Sequence, residues 1–135
     1  MLEIAPVVAK RKTVKWVLAG VCLALASASG WVYARAPQEL LATIALAELP
    51  RQGQQVYTRI FQGGPFDSEK DGTVFGNRER LLPAGKRGFY REYTVLTPGV
   101  KNRGIRRIVC GGQPRMPDVC YYTADHYESF RKIVP

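Results

Sequence analysis

A change of rhythm at Gly63-Gly64-Pro65 constrains the fold more than any other feature of this chain. Ahead of it, Val56, Tyr57, Ile60 and Phe61 recur at helical spacing. Pro50 follows Glu48-Leu49 and suits the start of a helix, where a missing N–H costs little. The two glycines and Pro65 then end the run. The spacing predicts one amphipathic helix of about three turns, in spite of the helix-weakening Gly53. Beyond Pro65 the runs are short. Thr73–Phe75, Gly88–Leu96, Ile105–Cys110 and Val119–Thr123 read as strands, with Ser129–Val134 as a further candidate. Pro83-Ala84-Gly85, Thr97-Pro98-Gly99 and Gly111-Gly112 supply turns between them. Leu40–Leu46 reads either as a short strand or as the tail of the segment before it. The pattern predicts an α+β domain: an N-terminal amphipathic helix on one face of an antiparallel sheet, with the other face free for a ligand.

The first 36 residues belong to a different regime. Lys10, Arg11, Lys12 and Lys15 precede a stretch from Trp16 to Ala34 without a charge, and Ala26-Ser27-Ala28 offers small residues in A-x-A order. That is the layout of a secretory signal peptide. Nineteen uncharged residues also just span a bilayer, so an uncleaved membrane anchor is the rival reading. Either way the positive cluster stays in the cytoplasm and residues 37–135 are exported, secreted or periplasmic. Cys22 falls in the apolar stretch, which leaves Cys110 and Cys120 in the exported part. An even pair in an oxidising compartment reads as a disulfide.

The whole chain carries 20 Lys and Arg against 11 Asp and Glu, a formal charge of +9. From Pro37 onwards there are 15 basic and 10 acidic side chains, a net +5. The basic balance points to a polyanionic partner. One histidine and three cysteines are too few for a multi-histidine metal site or a zinc ribbon. No Gly-rich phosphate loop ending in Lys-Ser or Lys-Thr is present, which argues against a nucleotide-hydrolysing motor. No metal and no cofactor is expected.

Four places carry groups with chemistry. Glu92 lies inside the strand-like run Phe89–Leu96. Arg103 and Arg107 lie four apart in a second run, which would put them on one face of it. The only histidine, His126, lies in Thr123-Ala124-Asp125-His126-Tyr127. Phe75-Gly76-Asn77-Arg78-Glu79 forms a polar loop after a strand. Each has an ordinary structural explanation on its own: a solvated strand face, basic surface, an incidental histidine, a surface loop.

Their order is more telling. Asp71-Gly72-Thr73-Val74-Phe75-Gly76-Asn77-Arg78-Glu79, Tyr90-Arg91-Glu92-Tyr93-Thr94-Val95, Thr97-Pro98-Gly99, Arg103-Gly104-Ile105-Arg106-Arg107-Ile108 and Thr123-Ala124-Asp125-His126-Tyr127 follow one another. Together, from about Ala42 to Ile133, they resemble the bacterial guanyl-specific ribonucleases, the group that includes barnase. The resemblance implies the family's helix-on-sheet fold. It also implies Glu92 as general base, His126 as general acid, and Arg103 and Arg107 as the phosphate-binding pair. The guanine site falls on Phe75, Asn77, Arg78 and Glu79, with Tyr127 beside the base. Gly76 stands where the family often carries a bulkier polar residue. Ala45 stands where some relatives have a cysteine that ties the first strand to the C-terminus, so the bridge here is expected as Cys110–Cys120, around an insertion from Gly111 to Val119.

The implied activity is metal-independent cleavage of single-stranded RNA on the 3′ side of guanosine, through a 2′,3′-cyclic phosphate. The competing classes are a catalytically inactive basic RNA-binding domain and a structural envelope protein held by the leader. Relatives are blocked by a small acidic inhibitor protein, and a +5 domain would steer such a partner. Membrane contact is expected only if the leader stays uncleaved. A monomer is expected, and RNA scavenging or toxicity to other cells would both suit the activity.

Overall fold

The computed structural model describes residues 41–135; the expected leader over residues 1–36 lies outside them. The described chain runs β1 (Thr43–Ala45), a 3₁₀ turn (Leu46–Glu48), α1 (Arg51–Gln62), β2 (Thr73–Val74), β3 (Tyr90–Thr94), β4 (Arg107–Gln113), β5 (Met116–Thr123) and β6 (Arg131–Val134). The six strands form one sheet in the order β1-β6-β5-β4-β3-β2. This is an α+β arrangement, with one helix against a mostly antiparallel sheet.

Helix α1 forms as its spacing predicts. Gly53, Val56 and Ile60 make its buried face, and Leu49 extends the same stripe one turn earlier. Pro50 takes the N-cap position, so the helix begins at Arg51. Gln54 Nε2 reaches back to the carbonyls of Leu49 and Ala47, at 2.9 and 3.2 Å. At the other end Gly63 adopts φ +82°. Its N–H and that of Gly64 close on Ile60 O and Arg59 O, a termination that needs the left-handed conformation glycine permits.

Three expectations need correction. The described chain begins with a strand, β1, ahead of the helix, and β1 pairs with β6 in parallel, so the sheet is not antiparallel throughout. β1 and β6 pair across some ninety residues of sequence, Thr43–Ala45 with Lys132–Val134, a long-range closure with no local signal. Gly111-Gly112 is not a turn. It lies inside β4 at a bulge, where the β4–β5 register shifts, and Pro114-Arg115 make the tip of a longer hairpin. A Cβ on Gly112, which has φ +113°, would lie 2.8 Å from Asp118 N, so only glycine fits the bulge. Finally, β4 starts at Arg107 rather than at Ile105.

Side chains alternate across the sheet. Tyr93, Val95, Ile108, Cys110, Cys120, Tyr122, Ile44 and Ile133 pack with Leu49, Val56 and Ile60 from the helix side. Tyr90, Val109, Tyr121, Leu82 and Phe130 form a second core, with Phe75 and Tyr127 packed on it. Register then fixes what the second face presents. Glu92 lies opposite Val109, and Thr94 opposite Arg107. Val109 lies opposite Tyr121, and Arg107 opposite Thr123.

Cys110 and Cys120 are directly cross-strand on β4 and β5 and are joined in a disulfide. The bridge closes a short loop, for which chain entropy gives about 2.5–3 kcal/mol. Replacing both cysteines by alanine is expected to lower Tm by about 10 °C or more in a domain of this size. A thermal melt checks this, and an unchanged Tm would mean that strand pairing alone holds the hairpin.

Candidate active site

The face away from the helix carries the site. Glu92 points there because its parity in β3 matches Tyr90 and Thr94 and opposes Tyr93. Its carboxylate is held at both oxygens. Arg103 Nη2 donates to Oε1 at 2.9 Å, and the Tyr127 hydroxyl donates to Oε2 at 2.8 Å. The side chain keeps 15% of its exposure, enough to meet a ligand.

Arg103 lies in the loop before β4, so it does not share a strand face with Arg107 as the four-residue spacing suggested. It reaches Glu92 from that loop. Arg103 Nε donates to Thr94 Oγ1 at 2.6 Å, and Nη2 lies 3.7 Å from Asp71 Oδ1. The Asp71 side chain is itself shielded from solvent and accepts the Thr94 and Ser68 N–H groups, at 2.7 and 3.3 Å. Arg107 is 3% exposed, between buried Thr94 and Thr123. Its Nη1 and Nη2 donate to Arg106 O and Gly104 O. Its Nε–H has no hydrogen-bond partner among the described residues, a state that costs about 1–3 kcal/mol when a donor is buried.

Tyr127 is more than a neighbour of the base. Its ring stacks on Phe75 at 5.1 Å and 27°, and the Arg107 guanidinium lies 6.0 Å from its centroid. Burial, then the hydrogen bond to Glu92 and the Glu92 charge, raise the Tyr127 hydroxyl above the ordinary phenol range, while Arg107 opposes them. It therefore stays protonated and keeps donating at neutral pH. Phe130, which sequence reasoning missed, meets Phe75 edge-on at 5.9 Å.

A cavity of about 770 Å³ lies over these groups, lined by Val74 to Glu79, Leu81, Glu92, His126 to Glu128 and Phe130. It gathers Glu92, His126, Phe75, Asn77, Arg78, Glu79 and Tyr127. Arg103 and Arg107 are not in its lining but touch residues that are. Asn77 contributes shape. It adopts φ +48°, and its side chain is spent on both backbone groups of Leu82, at 2.9 and 3.1 Å. That staple holds the Gly76–Glu79 loop and leaves backbone, rather than the Asn77 amide, to face a ligand. Among the described residues no three His, Cys, Asp or Glu side chains cluster as a metal ion would need.

His126 and Tyr127 are consecutive non-glycine residues with φ +57° and +73°, each an unfavourable conformation by about 1–3 kcal/mol. The His126 N–H donates to Ile105 O at 3.2 Å, and its exposed ring lies 5.0 Å from that of Tyr127. Asp125 anchors the same turn. Its carboxyl is held below the usual range, first by the Ser129 hydroxyl and further by the Ser129 N–H and the Thr123 hydroxyl, with burial opposing. The folded pKa lies below the unfolded one, so this contribution is complete above about pH 4 and is lost as pH falls through the folded value. Asp125→Asn is expected to lose stability at neutral pH and to show a shallower fall on acidification. Denaturant melts from pH 2 to 7 check this, and parallel curves would contradict it.

Residues 34–134 match the ribonuclease family model. Over 90 residues the chain is 50% identical to guanyl-specific ribonuclease Sa3 of Kitasatospora aureofaciens, a match covering 67% of this chain and 62% of that protein. It is 48% identical over 91 residues to guanyl-specific ribonuclease St of Saccharopolyspora erythraea, covering 67% and 86%. Among solved structures it resembles ribonuclease Sa2 in complex with mononucleotides, with a TM-score of 0.65 and 42% identity over 70% of this chain and 95% of that one. Sa2 with guanosine-2′-cyclophosphate matches with a TM-score of 0.64 and 42% identity, covering 70% and 97%.

Proposed function

The chain belongs to the bacterial guanyl-specific ribonucleases, and on that premise we propose that it cleaves single-stranded RNA on the 3′ side of guanosine. The observation that carries the reading is Glu92 clasped between Arg103 and Tyr127, in one cavity with His126 and Glu79.

RNA supplies its own nucleophile, the 2′-hydroxyl beside the phosphodiester. In the proposed mechanism Glu92 takes the 2′ proton as O2′ bonds to phosphorus. The P–O5′ bond breaks, and protonated His126 gives its proton to the leaving 5′ oxygen. Each proton transfer is worth ~10²–10⁴ in rate. Water then adds with the two roles reversed and opens the 2′,3′-cyclic phosphate to a 3′-phosphate. Negative charge grows on the non-bridging oxygens on the way, and Arg103 and Arg107 meet it. A phosphate oxygen that reached the buried Arg107 Nε–H would give it the acceptor it lacks. Fixed donors of this kind need little reorganisation as charge develops.

Guanine presents two adjacent donors, N1–H and the N2 amino group, which a carboxylate accepts together. Glu79 takes that part. The backbone of the stapled loop at Asn77 and Arg78 answers O6, and Phe75 with Tyr127 supplies aromatic surface. The leader pattern and the disulfide support export of residues 37–135 as the catalytic domain. The test of the reaction class is a chimeric oligonucleotide. An RNA whose one guanosine is replaced by 2′-deoxyguanosine should resist cleavage at that site, and cleavage there would rule out the 2′-hydroxyl as nucleophile.

A further inference from the structure

We propose that Asp125 is a positioning residue for the general acid: its carboxylate locks the turn that presents His126, so it governs protonation of the leaving group rather than capture of the RNA. The inference rests on the ribonuclease reading and on the assignment of His126 within it.

The turn is built around this one side chain. Oδ1 accepts the Ser129 N–H at 2.9 Å and the Thr123 hydroxyl at 2.9 Å, and Oδ2 accepts the Ser129 hydroxyl. The carboxylate thus ties the last residue of β5 to a residue six positions on. Its effect on Thr123 matters most. With the Thr123 hydroxyl proton committed to Asp125, the lone pairs of Oγ1 are left to accept the Tyr127 N–H at 3.1 Å and the Asp125 N–H at 3.4 Å. Thr123 is 1% exposed and belongs to a central strand. Its hydroxyl is a fixed post, and the Asp125 carboxylate sets which way that hydroxyl donates.

Between these ties sit His126 and Tyr127, both left-handed. L-residues do not hold that conformation without compensation. Tyr127 has further restraints in its hydroxyl on Glu92 and its stack on Phe75. His126 has an exposed side chain and one backbone hydrogen bond, to Ile105 O. Loosening the turn therefore displaces His126 first and leaves Glu92, Tyr127 and the guanine loop in place. A displacement of about 1 Å at a reacting group is enough to cost on the order of 10² in rate.

This predicts selectivity between leaving groups. A guanylyl-3′,5′-nucleoside expels an alkoxide and needs the acid. A guanosine 3′-(4-nitrophenyl phosphate) expels a stable phenoxide and does not. Asp125→Ala should lower kcat on the dinucleotide by about 10–100-fold and on the aryl ester by less than about 3-fold, with KM little changed on either. His126→Ala should show the same pattern with a larger loss. Asp125→Asn keeps the shape and the Oδ1 acceptor and should retain part of the activity. It carries the comparison if the alanine variant does not fold. Equal losses on both substrates, or no loss on either, would overturn the proposal. Failure of the wild-type chain to turn over either substrate would overturn the ribonuclease reading itself, and this inference with it.

Discussion

Glu92→Gln is expected to lower kcat for RNA cleavage by about 10²–10⁴-fold while the chain keeps its fold. The substitution is isosteric. The Gln carbonyl oxygen still accepts from Arg103 at the Oε1 position. The Gln amide nitrogen donates to the Tyr127 hydroxyl, which turns from donor to acceptor. The clasp survives, and only the proton acceptor for the 2′-hydroxyl is gone. Loss of the negative charge also leaves Arg103 without its nearest anion, so the variant should bind a guanosine 3′-phosphate at least as tightly as the native chain. Slower cleavage with undiminished nucleotide binding separates a missing base from a damaged site. Steady-state cleavage and a binding titration on one preparation supply both numbers. Native-like turnover would remove Glu92 from the chemistry.

Glu79→Ala should collapse base discrimination. Two charge-assisted hydrogen bonds to guanine N1–H and N2–H are worth about 1.5–3 kcal/mol each, or ~10²–10⁴ in the ratio of guanosine to adenosine cleavage. Adenine offers no matching pair of donors and leaves the carboxylate desolvated and unpaired, the costly kind of mismatch. Glu79 is exposed at the cavity wall and takes no part in the cores, so the loss should fall on selectivity and spare stability. The ratio of kcat/KM for guanylyl and adenylyl dinucleotides reads this directly. A ratio that does not move would place guanine recognition outside this carboxylate.

The sequence was most legible where its signal is local. Helical spacing at Val56, Tyr57 and Ile60 and the stop at Gly63-Gly64 located α1. The family resemblance carried by the motif order implied one site for Glu92, His126 and the Phe75–Glu79 loop, and all of them line one cavity. Less legible was whatever depends on partners far along the chain. The parallel closure of β1 on β6 has no local signature. Spacing put Arg103 and Arg107 on one strand face, yet Arg103 acts from a loop, anchored by Thr94 and facing Asp71 across 3.7 Å. Parity gives the same convergence by a different route, because Glu92 and Thr94 share a face. Tyr127 was expected beside the base, and its hydroxyl holds the proposed general base as well. Asp71 and Asp125 stood inside the quoted motifs without a role. Their work is to hold other residues, and only three-dimensional hydrogen bonds reveal it. A glycine pair that reads as a turn became a bulge because Phe89 packs over Gly111 and Asp118 closes on Gly112.

The central claim is guanosine-directed cleavage through the 2′-hydroxyl, and one measurement addresses it most directly. The domain from Pro37 onwards, or the full chain if that domain does not fold alone, is incubated with EDTA and an RNA oligonucleotide containing one guanosine, and the new ends are identified by mass. The account predicts one cut, on the 3′ side of that guanosine, with a 2′,3′-cyclic phosphate that converts slowly to a 3′-phosphate. Cuts scattered over all four nucleotides, ends bearing a 5′-phosphate, or no cut by folded protein would contradict it.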